Sequence, residues 1–115
     1  MISRNKKIQA RFYANASGRK PVREWILELS SEDRLIVGKD IQKVEFGWPI
    51  GMPSCRPLGG GLFEVRSDFK DSRIGRVIFT IVNDEMVLLH GFEKKTQKTP
   101  AKELDLARRR QKEII

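Results

Sequence analysis

The stretch LFEVRSDFKDSRIGRVIFTIVNDEMVLLHGF, residues 62–92, carries the alternation on which the fold rests. Residues 62–66 alternate with a period of two, 73–82 form a longer run rich in Val, Ile and Phe, and 86–92 form a third. Asn83 and Asp84 are good turn residues, so the last two runs predict an antiparallel hairpin. Phe63 and Val65 fall on one side of the first strand, and Glu64 and Arg66 on the other. In the next strand Val77, Phe79 and Ile81 make the more apolar side, which sends Arg76 to the face with Ile78 and Thr80. Arg66 and Arg76 are therefore expected on one face of the sheet. The place of His90 is open. With only Asn83 and Asp84 in the turn it pairs beside Val77 in the core, and with Glu85 also in the turn it sits beside Ile78 on the Arg76 face.

Upstream, Ile8, Ala10 and Phe12 alternate in a short strand over 8–13, and 17–20 form a turn. Pro21 suits the first position of a helix, and Val22, Trp25, Ile26 and Leu29 follow at the spacing of one buried face. Ser30 with Asp33 is a capping-box pattern opening a second helix, with Val37, Ile41 and Val44 as its stripe and Gly47 with Pro49 as its stop. The two helices are expected to form a hairpin. Residues 49–61 read as a tight loop, with Arg56 and Leu58 near its exit. Gly59, Gly60 and Gly61 mark a turn rather than a nucleotide-binding fingerprint, because a strand follows them and not a helix. After a basic loop over 94–99, Thr99 can cap and Pro100 can start a last helix with Leu104 and Ala107 on one side. The expected class is α+β, one domain over 1–115. It has a small twisted, mainly antiparallel sheet, an N-terminal helical hairpin and a C-terminal helix, with helices on one face and the other face partly open.

With 39% hydrophobic and 33% charged residues the chain falls in the globular class, and no stretch approaches the ~20 apolar residues of a membrane span. The basic start over 1–7 is followed by polar residues where a signal peptide has its apolar segment, so a cytoplasmic protein is expected. Cys55 is the lone cysteine and cannot form an internal disulfide. One Cys and one His cannot build an ordinary structural zinc site, so neither metal nor cofactor is expected. The 23 Lys plus Arg against 15 Asp plus Glu give +8, which favours a polyanionic partner through counterion release. Membrane surfaces and acidic proteins are attracted by the same charge, and many small proteins are basic for solubility alone.

The candidate chemistry lies among the cations. Arg66 and Arg76 share the open face, Arg73 lies near the strand entrance, and Lys94, Lys95 and Lys98 leave the hairpin close to where Arg76 begins. Guanidinium groups grip phosphate oxygens through paired hydrogen bonds and stabilise the extra charge of a phosphorane transition state. For any one of these residues, an ordinary ion pair with Glu64, Asp68, Asp71 or Glu93 is the simpler reading. For the group, a phosphate site is. Such chemistry needs the Arg76 guanidinium exposed near Arg66 and the Lys94 loop; burial against carboxylates would leave only a basic binder. Arg76→Ala is expected to abolish activity with the fold intact. His90 reads as a satisfied structural histidine, Tyr13 as a packing or edge residue, and Trp25 and Trp48 as core anchors. The run Arg108-Arg109-Arg110 complements the negative end of its helix or touches RNA or an acidic partner.

The motifs Arg19-Lys20-Pro21-Val22 with Glu24-Trp25, Gly47-Trp48-Pro49, Arg56-Pro57-Leu58-Gly59, Gly61-Leu62-Phe63-Glu64-Val65-Arg66, Arg73-Ile74-Gly75-Arg76-Val77 and the run from Leu89 through His90-Gly91-Phe92-Glu93-Lys94-Lys95-Thr96-Gln97-Lys98-Thr99 to Pro100 span nearly the whole chain. In this order they resemble the phage-derived HigB-like branch of the RelE/ParE toxin superfamily. The resemblance implies a RelE-like fold and a type II toxin that enters the ribosomal A site and cleaves translated mRNA without a metal. It also implies a cognate antitoxin, often with a helix-turn-helix. By position it gives Arg76 transition-state stabilisation, Arg66 phosphate binding or proton transfer, and Lys94 and Lys95 a grip on the scissile region; Arg56, Arg73 and Lys98 are expected to bind RNA as further members of the basic group. Glu64 stands where some RelE-like enzymes carry a lysine, and the final segment lacks the tyrosine those enzymes place there. That incomplete set is the motive for a second possibility, a ParE-like inhibitor of DNA gyrase without chemistry; charge alone supports a third, a phage-derived nucleic-acid-binding protein.

Overall fold

The computed structural model describes residues 6–94 and 98–114. In chain order the elements are β1 (Gln9–Phe12), α1 (Pro21–Glu28), α2 (Ser31–Gly47), β2 (Cys55–Gly59), β3 (Leu62–Asp68), β4 (Ile74–Val82), β5 (Glu85–Lys94) and α3 (Ala101–Ile114). The class is α+β, with a five-stranded mixed sheet in the order β1-β5-β4-β3-β2. β1 joins β5 in parallel, and the other three pairings are antiparallel. β2 lies inside the stretch expected to be loop. Pro57 removes a backbone donor, which a strand tolerates at the edge of a sheet, and β2 is an edge strand.

Local chemistry explains most of the boundaries. Pro21 opens α1, and the Ser30 hydroxyl accepts the Asp33 N–H at 3.1 Å, capping α2 as its sequence pattern predicts. Gly59, Gly60 and Gly61 all take positive φ in the turn from β2 to β3. Asn83 and Asp84 do so as well, at 51° and 64°, forming the two-residue hairpin turn that matches strand twist.

That tight turn pairs Val82 with Glu85, yet His90 lies opposite Ile78. A bulge resolves the conflict, since Ile78 pairs with His90 and Phe79 with Leu88, leaving Leu89 as the extra residue. His90 thus combines the short turn of one sequence expectation with the position of the other.

The sheet is covered on both faces. On one, Val65, Val77, Phe79, Met86 and Leu88 pack with Val22 of α1 and Val37, Ile41 and Val44 of α2. Phe63, Phe79 and Trp48 form an aromatic cluster with centroids 4.9–5.8 Å apart. Trp25 crosses β5 so closely at Gly91 that a Cβ there would meet its ring at 2.4 Å. On the other face Leu62, Ile78, Val87, Leu89 and Phe92 pack with Tyr13 and Ala107, and Leu104 and Ile114 of α3 lie against them. The expectation of one open face is corrected here: the Leu104 and Ala107 stripe of α3 and the apolar half of that face bury each other. No helix among the described residues is long and apolar enough to cross a membrane.

Candidate functional site

Cross-strand register assembles the cations. Arg66 and Arg76 are direct partners between β3 and β4, as the alternation predicts. Pairing of β2 with β3 sets Arg56 opposite Glu64, and pairing of β4 with β5 sets Ile74 opposite Lys94. Arg56, Arg66, Arg76 and Lys94 thus come from four different strands and lie within electrostatic reach of one another. Arg56 is exposed and Arg66 half-buried, so these two form the solvent-facing rim.

Beneath the rim the site is buried. Arg76 is 1% exposed, Lys94 5% and Glu64 0%. Arg76 Nη1 donates to the carbonyls of Gly75 at 2.7 Å and Ser67 at 3.4 Å, while its Nε faces Glu64 Oε1 at 3.6 Å, too far for a hydrogen bond. The other oxygen of Glu64 accepts from the Thr99 hydroxyl at 2.6 Å, and Lys94 Nζ lies 3.5 Å from that hydroxyl. A single buried carboxylate therefore anchors the group.

Burial and crowding shift the cations in one direction. Arg76 is lowered from its ordinary value, first by desolvation and then by the charge of Arg66, against the opposing pull of Glu64. A guanidinium stays protonated through such a shift, so Arg76 remains a charged group in a low-dielectric site. Lys94 is lowered by desolvation, with Glu64 opposing and Arg76, Arg66 and Arg56 adding to it. The Cys55 thiol is pushed up to about 11 by burial and by Glu64, which keeps it protonated and unreactive.

These positions correct one expectation and distribute the others. Arg76 is not exposed: its guanidinium is buried against a carboxylate, the arrangement under which the sequence reading leaves only a basic binder, so it does not grip a phosphate directly and acts on one through its field alone. Its proximity to Arg66 and Lys94 does hold. Arg73 stands apart, its guanidinium clamped by Asp33 at 2.8 Å and Glu93 at 3.1 Å and stacked 5.3 Å from the Phe69 ring centroid. That clamp ties the start of α2 to β5. Lys98 is exposed just before α3, and Lys95 lies outside the described residues. His90 Nε2 sits 2.7 Å from Glu103 Oε1 of α3, with Arg110 behind its other nitrogen at 3.5 Å. Desolvation lowers its pKa despite Glu103.

Sequence reasoning names Glu64 as an ion-pair partner of these cations, as the structure has it, but misses its role as their common anchor and misses Thr99 as a member of the site. The signal for Glu64 was present, a lone acid in an apolar strand two residues from Arg66, but its link to Arg56 depends on the unrecognised β2. Thr99 was read only as a helix cap.

Residues 24–112 match the family of phage-derived proteins described as Gp49-like (DUF891). The chain belongs to the phage-derived Gp49-like family. All four strands that carry the cation cluster fall inside the matched region of this Gp49-like chain, as do α2 and nearly all of α3. Comparison with curated proteins gave no match.

Proposed function

We propose that the protein is a toxin of a type II toxin–antitoxin pair, with a RelE-like fold, that enters the ribosomal A site in the cytoplasm and cleaves translated mRNA without a metal. The single observation behind this is the meeting of Arg56, Arg66, Arg76 and Lys94, from four strands, around Glu64. Arg56 and Arg66 at the rim take the phosphodiester. Attack by the RNA's own 2′ hydroxyl oxygen on phosphorus forms a cyclic phosphate and expels the 5′ oxygen. The 5′ oxygen takes up a proton as the 2′ hydroxyl loses one, and negative charge gathers at that point on the way. Arg76 lies beneath it as a fixed buried cation and stabilises that charge through the low-dielectric interior rather than by contact. Lys94, buried beside Thr99 and Glu64, adds its charge from the same depth as Arg76, and Lys95, after it in sequence, grips the scissile region. A cognate antitoxin, with a helix-turn-helix, neutralises the toxin.

One observation favours a second reading. Burial of Arg76 against Glu64 suits a toxin that binds RNA and blocks translation without cutting it. Mapping of mRNA 5′ ends after induction separates the two: codon-phased cuts on translated messages support cleavage, and arrested translation on intact messages supports binding alone. DNA breaks with intact messages would instead point to a gyrase inhibitor and remove both.

A further inference from the structure

Arg66 belongs to two neighbourhoods. Besides its place in the cation cluster, it lines a cavity of about 290 Å³ together with Ile36, Asp40 and Lys43 of α2, Pro53, Ser54, and Asp68 at the end of β3. Drug-sized ligands fill cavities of ~300–1,000 Å³, so this one has room for a single flat ring system and not for a whole nucleotide. Its wall sets two carboxylates and a hydroxyl beside the cations of Lys43 and Arg66, with Ile36 and Pro53 as apolar sides. Asp40 is held in place by the Ser67 hydroxyl at 2.8 Å and lies 3.9 Å from Lys43 Nζ, while Asp68 is exposed. A carboxylate only accepts hydrogen bonds when ionised, so such a wall rewards ring edges that donate.

We infer that this cavity is a nucleobase subsite, in which the base beside the phosphate held at Arg66 is seated between α2 and β3 and selected for an exocyclic amine by Asp68 and Asp40. Guanine, adenine and cytosine carry that amine. Uracil has no exocyclic amine, and the carbonyl oxygens on either side of its one ring N–H face the same carboxylates, so it is disfavoured. Single-stranded RNA is read in this manner, by splaying a base into a pocket and bonding its edge. The subsite rests on the proposal that the Arg56 and Arg66 rim binds RNA phosphate.

Titration of the protein with GMP, AMP, CMP and UMP, followed by backbone amide NMR, tests it, with inorganic phosphate as the control probe. The amine-bearing nucleotides should bind ~10-fold tighter than UMP, the worth of one charge-assisted hydrogen bond. They should also move the amides of Lys43 and Asp68. In Asp68→Asn, an exposed substitution, that ratio should fall toward one. Equal binding of all four nucleotides, or amide shifts confined to Arg56 and Arg66, would overturn the subsite while leaving the phosphate rim standing. Failure of every nucleotide and of inorganic phosphate to move any of these amides would overturn both.

Discussion

The two faces of one sheet are built from the same alternation and put to different ends. On the α1 and α2 face, Val65, Val77, Phe79 and Leu88 meet apolar partners along the length of β3, β4 and β5. The α3 face begins the same way, with Leu62, Ile78 and Leu89, but then gives way to Glu64, Arg76 and Lys94, all nearly inaccessible. Burying charge is costly unless the partners compensate, and here the compensation is incomplete: Arg76 Nε and Glu64 Oε1 face each other without a hydrogen bond. The apolar face carries stability, and the charged end of the other carries the site at stability's expense.

Four single substitutions, the second paired with a joint change, test this division in falling order of expected effect. Phe79→Ala, at a residue stacked with Phe63 and edge-on to Trp48, should cost about 4 kcal/mol in chemical denaturation. A cost below about 1 kcal/mol would mean that the aromatic cluster is not the core. Arg76→Ala should cost about 3 kcal/mol, because it removes the buried cation facing Glu64 and leaves that carboxylate only the Thr99 hydroxyl and the charge of Lys94. This amends the expectation that the substitution leaves the fold untouched. The joint change Arg76→Met with Glu64→Leu should restore most of that stability yet leave growth inhibition abolished. Recovery of toxicity along with stability would show that the buried pair is purely structural.

The third lies at the seam between α3 and the sheet. The folded-state pKa of His90 is depressed below its ordinary 6.5 by burial, so the unfolded chain binds the proton more readily. Stability from this site is therefore complete above pH 6.5 and is lost as the pH falls through the lower folded value. His90→Asn should flatten the fall in melting temperature over that range, and an unchanged profile would exclude His90 as its source. Arg56→Ala should have the smallest effect on folding, within ~0.5 kcal/mol, while lowering the salt slope of RNA binding by ~1. An unaltered slope would remove Arg56 from the phosphate rim.

How far the sequence reveals this arrangement depends on whether local chemistry or distant pairing sets each part. Pro21, the Ser30 and Asp33 box, and the Asn83-Asp84 turn act over a few residues, and the elements they bound lie where the sequence predicts. The alternation in 62–66 and 73–82 likewise puts Arg66 beside Arg76. β2 was hidden because Pro57 and the glycines around it read as loop, and only its pairing with β3 makes it a strand. The bulge at Leu89 has no local signature. Neither has the choice of face by α3, which is fixed by distant contacts such as Gln111 Nε2 donating to the Gly60 carbonyl at 2.9 Å. Consequently the members of the cation cluster and the ion pairing of these cations with Glu64 and Glu93 are legible in the sequence, while the depth of Arg76, the anchoring role of Glu64 and the second partner of Arg73, Asp33, are not.

The claim that the rim arginines of β2 and β3 hold the RNA backbone is tested most directly by reconstituted translation with purified Arg56→Ala/Arg66→Ala protein, after circular dichroism has shown it folded. The message on the ribosome should stay whole where the unaltered protein cuts it. Cutting by the double variant at the unaltered rate would contradict the account.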